Sequence, residues 1–188
     1  MGLANVLFGR KKLKAPAKDR LFALATARVT LEVELGLKPA GGAVCFKPLS
    51  AGEFVRAENE LQELLEKVTQ DSGSKLERES DHFGYEWLVV RDRDFEDVVT
   101  TAHLIGDELA TRGFGPQLLA AIFRFDGAKH PVYWIYGYKR GTFWPFVPTG
   151  KGQERDNAEE LELKAKLEKE LPIEPDISMW FGMFGAPL

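Results

Sequence analysis

Apolar residues recur at intervals of three or four in two long segments of the chain, and this spacing predicts two amphipathic helices. The first helix starts behind the capping-box pair Ser50 and Glu53 and ends by residues 71–73. The second helix covers residues 95–112 and follows Asp94, which is a good candidate for its N-cap. Two shorter helices are predicted at residues 19–28 and 156–171.

Short runs that are apolar throughout, or that alternate apolar with polar residues, predict strands where turn residues bound them. Residues 75–80 and 84–91 are predicted to form a hairpin around the turn sequence DHFG. Further strands are predicted at residues 40–48, 118–125 and 132–138. Helices that flank a mostly antiparallel sheet define an α+β fold. We expect a single domain over residues 19–188, preceded by a basic N-terminal arm at residues 1–18.

The stretch GYKRGTFWPFVP, residues 137–148, combines two cations, two glycines and four aromatic rings. The alternation of the preceding strand predicts that at least half of these rings face the core, and Pro145 predicts an edge or a strand end. The predicted turn at residues 139–141, and an edge that a partner would extend, are the remaining binding candidates. The candidate partner-binding residues are Tyr138, Lys139, Arg140, Gly141, Trp144 and Phe146.

Composition and charge restrict the class of protein. The 188 residues are 44% hydrophobic and 29% charged, as in an ordinary globular protein. The net charge of −4 argues against general nucleic-acid binding, which needs many cations to neutralise phosphates. Cys45 is the only cysteine, so no intrachain disulfide can form, and no apolar run reaches the roughly 18 residues of a membrane-spanning helix. We therefore expect a cytoplasmic protein.

The N-terminal arm has a charge opposite to that of the whole chain. Six of the eleven residues from Arg10 to Arg20 are Lys or Arg and only Asp19 is acidic, which gives a net charge of +5. A solvated charge run at a frayed terminus is the favoured interpretation, and contact with an anionic membrane surface is the alternative. The candidate membrane-surface residues are Leu3, Val6, Leu7, Phe8, Arg10, Lys11, Lys12 and Lys14.

The sequence contains no residue set with the spacing of a known catalytic or metal-binding motif. His82, His103 and His130 lie far apart and away from any cysteine pair, so we expect no metal site. The sequence Ser80-Asp81-His82 contains the residue types of a catalytic triad, but neighbours on a strand point apart. We therefore expect neither an enzyme nor a cofactor.

Several segments spread over nearly the whole chain resemble one known family. In the N-terminal part they are MGLANVLFGR, DRLFAL, VTLE, VCFKP, GYEWLVVRD and GFGPQLL. In the C-terminal part they are YKRGTFWPFVP, ERDNAEELELKAKL and LPIEPDISMWFGMFGAPL. The chain resembles PspAB, the PspA-associated proteins. This resemblance implies an accessory protein of a phage-shock-type envelope stress response, encoded with the membrane-remodelling protein PspA, and it brings no catalytic motif with it.

The resemblance leads us to expect a non-enzymatic adaptor that binds PspA or a companion stress protein, peripherally at the inner face of the cytoplasmic membrane. One alternative is an RNA- or nucleotide-binding module in which Tyr138, Phe143 or Trp144 stacks on bases. A second alternative is an enzyme with an unrecognised site. The order of elements also resembles that of type III secretion chaperones and YbjN-like proteins. We expect the aromatic C-terminal tail to pack on its own domain, and the sequence leaves the oligomeric state open.

Overall fold

The computed structural model describes residues 18–47, 54–127 and 129–188. The candidate membrane-surface residues from Leu3 to Lys14 lie outside these ranges, as does the capping-box pair Ser50 and Glu53. The predictions made for these residues therefore stay predictions.

Four α-helices form within the described ranges: α1 (Ala23–Val29), α2 (Phe54–Ser72), α3 (Phe95–Thr111) and α4 (Asn157–Leu167). A 3₁₀ turn (Lys18–Phe22) leads into α1, and a π-helical turn (Thr30–Glu34) continues it. The helical region predicted at residues 19–28 is thus longer than expected, whereas α4 ends four residues before its predicted end at residue 171.

Six strands form one open sheet: β1 (Lys38–Phe46), β2 (Lys75–Ser80), β3 (Glu86–Arg91), β4 (Leu118–Asp126), β5 (Val132–Gly137) and β6 (Thr142–Phe146). Their order is β2-β3-β1-β4-β5-β6, and every neighbouring pair is antiparallel. The predicted hairpin is β2–β3, and the α+β fold class is confirmed. The central strand β1 pairs with two strands that follow it much later in the chain, so the sheet depends on long-range contacts.

The strand β6 follows the turn that the sequence predicted at residues 139–141, but it was not predicted as a separate strand. The chain reverses at residues 139–141, where Gly141 has a φ of +67°, a conformation that glycine adopts without strain. Residues 142–146 then return along β5, with Trp144 opposite Ile135. Pro145 accordingly lies on an edge strand, as predicted.

The first face of the sheet packs against the helices and carries the larger core. The buried α3 residues Val98, Val99, Ala102 and Ile105 pack in this core. The sheet residues of the same core include Val44, Leu88, Phe123, Phe125, Trp134, Tyr136 and Phe143. Phe95 of α3 contacts the edges of Phe123 and Phe125, with ring centroids 5.9 and 5.1 Å away. Burial of these aromatic rings makes the first face a main source of stability.

The second face of the sheet is covered by the C-terminal segment instead of by helices. Its buried residues are Ala43, Cys45, Trp87, Val89, Ala120, Ile122, Tyr133, Ile135, Trp144, Phe146 and Trp180. Met183, Phe184, Ala186 and Leu188 from the end of the chain pack against this cluster. The tail therefore packs on its own domain, which is the arrangement expected from its aromatic residues.

Candidate interaction surface

The six candidate partner-binding residues separate into buried and exposed groups. The side chains of Tyr138, Trp144 and Phe146 are buried, and Gly141 is buried as well. Lys139 and Arg140 are exposed. The sequence therefore predicted as accessible several residues that are buried. The alternation of rings along one strand does not show which segment covers each face of the sheet.

Tyr138 belongs to the first-face core. Its hydroxyl donates a hydrogen bond to the carbonyl oxygen of Ala102 in α3, at 3.1 Å. The ring lies against Gly106, where an added Cβ would come within 2.8 Å of the Tyr138 ring. Burial raises the pKa of the Tyr138 hydroxyl well above its ordinary value. In this arrangement Tyr138 has no free ring face for a partner or a base.

Trp144 and Phe146 belong to the second face and lie beneath the C-terminal segment. The Trp144 indole Nε1 donates to the carbonyl oxygen of Phe181, at 3.0 Å. The Phe146 ring meets Phe184 edge-on at 4.9 Å between centroids. The Arg155 guanidinium lies 5.2 Å from the centre of the same Phe146 ring. Both rings become accessible only if the segment above them moves.

The backbone of β6 is already paired on its outer side. Phe143 donates its N–H to Pro172 O at 2.9 Å and accepts from Glu174 N at 2.8 Å. Pro145 has no N–H to offer, and Val147 N donates to the carboxylate of Glu160 at 2.9 Å. The edge that the sequence suggested for strand addition is therefore occupied by the chain itself.

Glu160 is the buried carboxylate that caps the end of β6. It accepts from the Arg155 Nε at 2.8 Å in addition to Val147 N. Burial raises the pKa of the Glu160 carboxyl, and its bonds to Arg155 and Val147 act in the opposite direction. Arg155 also donates to the carbonyl oxygen of Trp180 at 2.8 Å, so this pair links α4, β6 and the C-terminal segment.

Arg140 forms an ion pair with a second buried carboxylate. Its Nη1 lies 3.1 Å from Glu174 Oε2, and the side chains are 47% and 3% exposed respectively. The same oxygen of Glu174 accepts from the Thr142 hydroxyl at 2.9 Å, and Oε1 accepts from Asp176 N at 3.2 Å. Arg140 thus connects the exposed turn to the start of the C-terminal segment.

Two large apolar side chains are exposed on the segment that follows Glu174. Ile177 is 50% exposed and Phe181 is 59% exposed. The carbonyl oxygen of Phe181 accepts the hydrogen bond from Trp144 and so places Phe181 above that ring. Ile177 follows Asp176, and hydrogen bonds from Ser178 are the main cause of the lowered pKa of the Asp176 carboxyl. We name Lys139, Arg140, Ile177 and Phe181 the edge surface. Aromatic residues and arginine are both enriched at protein interfaces.

The triad-like sequence at residues 80–82 forms part of a structural turn. Ser80 Oγ donates to Glu86, and the His82 ring stacks on Phe83 at 3.8 Å between centroids. Asp81 accepts hydrogen bonds from Phe83 N, Tyr85 N and Trp87 Nε1, so its carboxylate is used by the hairpin. These side chains do not converge on one point as a catalytic triad requires.

Three further features of the described ranges bear on a catalytic or ligand-binding role: metal-ligand groups, the cysteine and a pocket. No group of three His, Cys, Asp or Glu side chains there is placed to hold a metal ion. Cys45 is buried in the second face, and this burial raises the pKa of its thiol, which makes it a poor nucleophile. An open pocket of about 170 Å³ lies between the π-helical turn and α4, lined by Glu34, Leu35, Leu37, Glu159, Glu162, Leu163 and Lys166.

None of the described helices is long and apolar enough to cross a lipid bilayer.

The fold defines an α+β protein whose aromatic residues are mostly structural. The family PspAB, described as PspA associated protein B, matches residues 1–188, and the chain belongs to this family. The resemblance read from the sequence is therefore confirmed, and with it a PspA-related accessory role. No curated protein and no solved structure matches the chain. The likeness to type III secretion chaperones and YbjN-like proteins stays a prediction.

Proposed function

We propose that the protein is a non-enzymatic adaptor that binds PspA, or a companion protein of the envelope stress response, close to the cytoplasmic membrane. The observation that carries this proposal is the match of the PspA-associated family to the whole chain, residues 1–188. The family is named for its association with PspA, and direct contact with PspA or its immediate companions is the simplest explanation of that association.

The roles of the polar side chains support a binding function over a catalytic one. Asp81, Glu160 and Glu174 each accept several hydrogen bonds that hold a turn, a strand end or the C-terminal segment. Cys45 is buried among apolar side chains. Within the described ranges these groups act on the protein's own backbone and side chains, and this favours an adaptor.

The edge surface supplies the contact in this proposal. It combines the exposed Lys139, the half-exposed Arg140 and the exposed apolar side chains of Ile177 and Phe181. Arginine and aromatic residues carry much of the binding energy at protein interfaces, while neighbouring polar groups exclude water around them. We expect an acidic partner surface with apolar side chains between its carboxylates.

A double substitution tests the edge surface. Lys139→Glu with Phe181→Ser reverses one exposed charge and removes one exposed ring, and neither side chain holds the fold in place. We expect affinity for purified PspA to fall by about tenfold or more, since aromatic contacts at interfaces are often worth 2 kcal/mol. The measurement is co-purification followed by a binding titration.

A matched variant controls for the general effect of the changes. Lys151→Glu with Leu161→Ser also changes one exposed lysine and one exposed apolar residue, at positions outside the edge surface. This variant is expected to bind PspA like the unmodified protein. Equal recovery of PspA by both double variants, with both folded by circular dichroism, would exclude the edge surface as the contact.

A further inference from the structure

The C-terminal residues 176–188, which we name the strap, cross the second face of the sheet without joining its hydrogen-bond ladder. Backbone hydrogen bonds of the described strap close within it, such as Trp180 N to Ile177 O at 3.0 Å and Ala186 N to Met183 O at 3.2 Å. None of them joins the strap to a strand in the described part of the chain. The strap is therefore held by side chains, which makes it easier to lift than a strand.

The side-chain contacts of the strap are few and can be named. Three of its carbonyl oxygens accept hydrogen bonds from the body of the protein: those of Trp180 from Arg155 at 2.8 Å, Phe181 from Trp144 at 3.0 Å and Leu188 from Tyr133 at 3.4 Å. The strap also donates two hydrogen bonds to Glu174, from Trp180 Nε1 to the carbonyl oxygen at 3.0 Å and from Asp176 N to the carboxylate at 3.2 Å. Apolar packing adds to these bonds, including the ring contact between Phe184 and Phe146.

Beneath the strap the sheet presents mainly apolar side chains. Cys45, Trp87, Val89, Ile122 and Ile135 are at most 1% exposed, whereas residues 182–188 of the strap are each partly exposed. One thin layer of irregular chain therefore separates a continuous apolar face from water. Lifting this layer would uncover a surface as apolar as the interior of a stable interface.

The strap also fits this face closely, as a bound peptide fits a groove. An added Cβ at Gly182 would come within 2.7 Å of Phe184 and 3.1 Å of Phe146. A Cβ at Gly185 would come within 3.1 Å of the Asp81 carboxylate. Gly182 and Gly185, on either side of Met183 and Phe184, let the backbone approach while these large side chains fill the spaces.

The strap leaves the body of the protein at Glu174, and this point is coupled to the edge surface. The buried Glu174 carboxylate is neutralised by Arg140, and Arg140 is half-exposed in the edge surface. A partner carboxylate that binds Arg140 competes directly with Glu174. Loss of the cation would leave a buried carboxylate poorly compensated, which is unfavourable.

We propose that the second face of the sheet is a binding groove for an acidic segment that contains aromatic residues. The strap is the resident occupant of this groove. The Arg140–Glu174 ion pair controls release of the strap. The strap, together with the two residues before it, shows the chemistry of a replacement, since Glu174 and Asp176 precede Trp180 and Phe184 in sequence. The occupant that displaces it is a partner segment of this kind. The choice of PspA as its source rests on the proposed function, but release of the strap does not.

Cys45 provides a native reporter for release of the strap, because it is the only cysteine and lies buried in the second face. The experiment measures the rate at which an aromatic disulfide reagent labels Cys45 in the folded full-length protein, without any partner, across low denaturant concentrations. We expect labelling with little denaturant dependence, the mark of a local opening. Labelling that follows global unfolding, with the same denaturant dependence, would overturn the proposal.

Variants at adjacent positions test the ion pair. Arg140→Ala should accelerate Cys45 labelling about tenfold, the effect of losing one charge-assisted hydrogen bond. Lys139→Ala, which removes a neighbouring cation without an ion pair to Glu174, should leave the rate unchanged. Thr142→Val, of nearly equal shape, removes the other side chain that donates to Glu174 and should also accelerate labelling. Equal rates in all four proteins would show that the pair does not control the strap.

A peptide added in trans tests the groove. A synthetic peptide of residues 174–188 should slow Cys45 labelling in Arg140→Ala, since it refills the face that the strap uncovers. A scrambled peptide of the same composition should have no effect. If both peptides leave the rate unchanged, the face is not a groove for such segments. Because PspA is absent from these measurements, their failure is distinct from failure of the proposed function.

Discussion

Asp81 holds the turn of the β2–β3 hairpin through its side-chain carboxylate. The carboxylate accepts from Phe83 N at 2.8 Å, Tyr85 N at 3.0 Å and Trp87 Nε1 at 3.0 Å. Burial by itself would raise the pKa of the Asp81 carboxyl, but these three hydrogen bonds together outweigh it, so the pKa lies below its ordinary value of 3.8. The charged form of Asp81 therefore stabilises the folded protein.

Asp81→Ala should lower the free energy of unfolding by about 2 kcal/mol at neutral pH, because it leaves the buried Trp87 indole without its acceptor. The sign of the pH dependence follows from the lowered pKa. The contribution is present above the ordinary value of 3.8 and is lost as pH falls through the lower folded-state value. Urea unfolding of both proteins at pH 7 and near pH 3 should show the difference shrinking at acid pH.

Asp71→Ala is the control for this substitution, since Asp71 is exposed in the last turn of α2. Its effect on the free energy of unfolding should be small. A loss of stability in Asp81→Ala that does not change with pH would contradict the role given to the charged carboxylate.

At the scale of single residues, the sequence predicted that rings at 137–148 face the core, but it did not predict which segments cover them. The alternation of the strand predicted core-facing rings, and Tyr138 and Phe143 are indeed in the first-face core. Trp144 and Phe146 are also buried, because residues more than 30 positions later cover them; Phe181 is 37 positions from Trp144. A local pattern contains no information about such distant contacts.

At the scale of elements, α3 is the one whose local signals were clearest. Asp94 lies in an extended conformation and accepts from Glu96 N at 2.9 Å, as an N-cap should. Glu96 and Asp97 lie in the first turn, where acidic residues interact favourably with the helix dipole. Gly113 follows the end of the helix with a φ of +90°. Each of these signals acts within a few residues, so the sequence was sufficient to place α3.

Asp94→Ala should reduce the free energy of unfolding by about 1 kcal/mol, the usual cost of losing an N-cap side chain. Its second contact, 3.7 Å from Arg28, is exposed and adds little. Asp97→Ala, in the same first turn but without a capping bond, should cost only a few tenths of that amount through the helix dipole. The measurement is urea unfolding at constant pH. Equal losses in the two variants would argue against the cap.

The strand β6 differs from α3, because its edge is paired and its end is capped by residues from distant parts of the chain. Its outer backbone groups pair with Pro172 and Glu174, about 30 residues later, and its end is capped by Glu160. Exposed strand edges invite pairing with other chains, and closure by irregular chain prevents it. The edge role of Pro145 was predictable, but the closure of that edge was not.

At the scale of the whole molecule, charge is unevenly distributed along the chain. The net charge is −4, and residues 10–20 carry +5, so the remaining residues carry −9, the difference between the two. An anionic membrane surface would therefore attract the arm and repel the rest of the protein. Each cation close to such a surface contributes about 1 kcal/mol.

Replacement of Lys11, Lys12 and Lys14 by Glu should abolish co-sedimentation of the full-length protein with anionic lipid vesicles at low salt. The unmodified protein should sediment with these vesicles, less so as salt rises, and not with vesicles of neutral phosphatidylcholine. The control replaces Lys151, Lys166 and Lys169 by Glu, which changes the net charge equally but leaves the arm intact. Equal sedimentation of the two triple variants would show that the arm does not bind the membrane surface.

The sequence by itself determined the α+β class, the helices α2 and α3, the β2–β3 hairpin and membership of the PspA-associated family. These depend on caps, turns and periodicity that act between near neighbours, or on segments that can be recognised one at a time. Only the tertiary structure decided which aromatic rings are accessible and what covers the second face. The Arg140–Glu174 pair spans 34 residues, and the strap, which begins at residue 176, lies on strands of which the last ends at residue 146. Burial by such distant segments is a property of the folded chain, because no local pattern specifies which segment lies opposite a given strand.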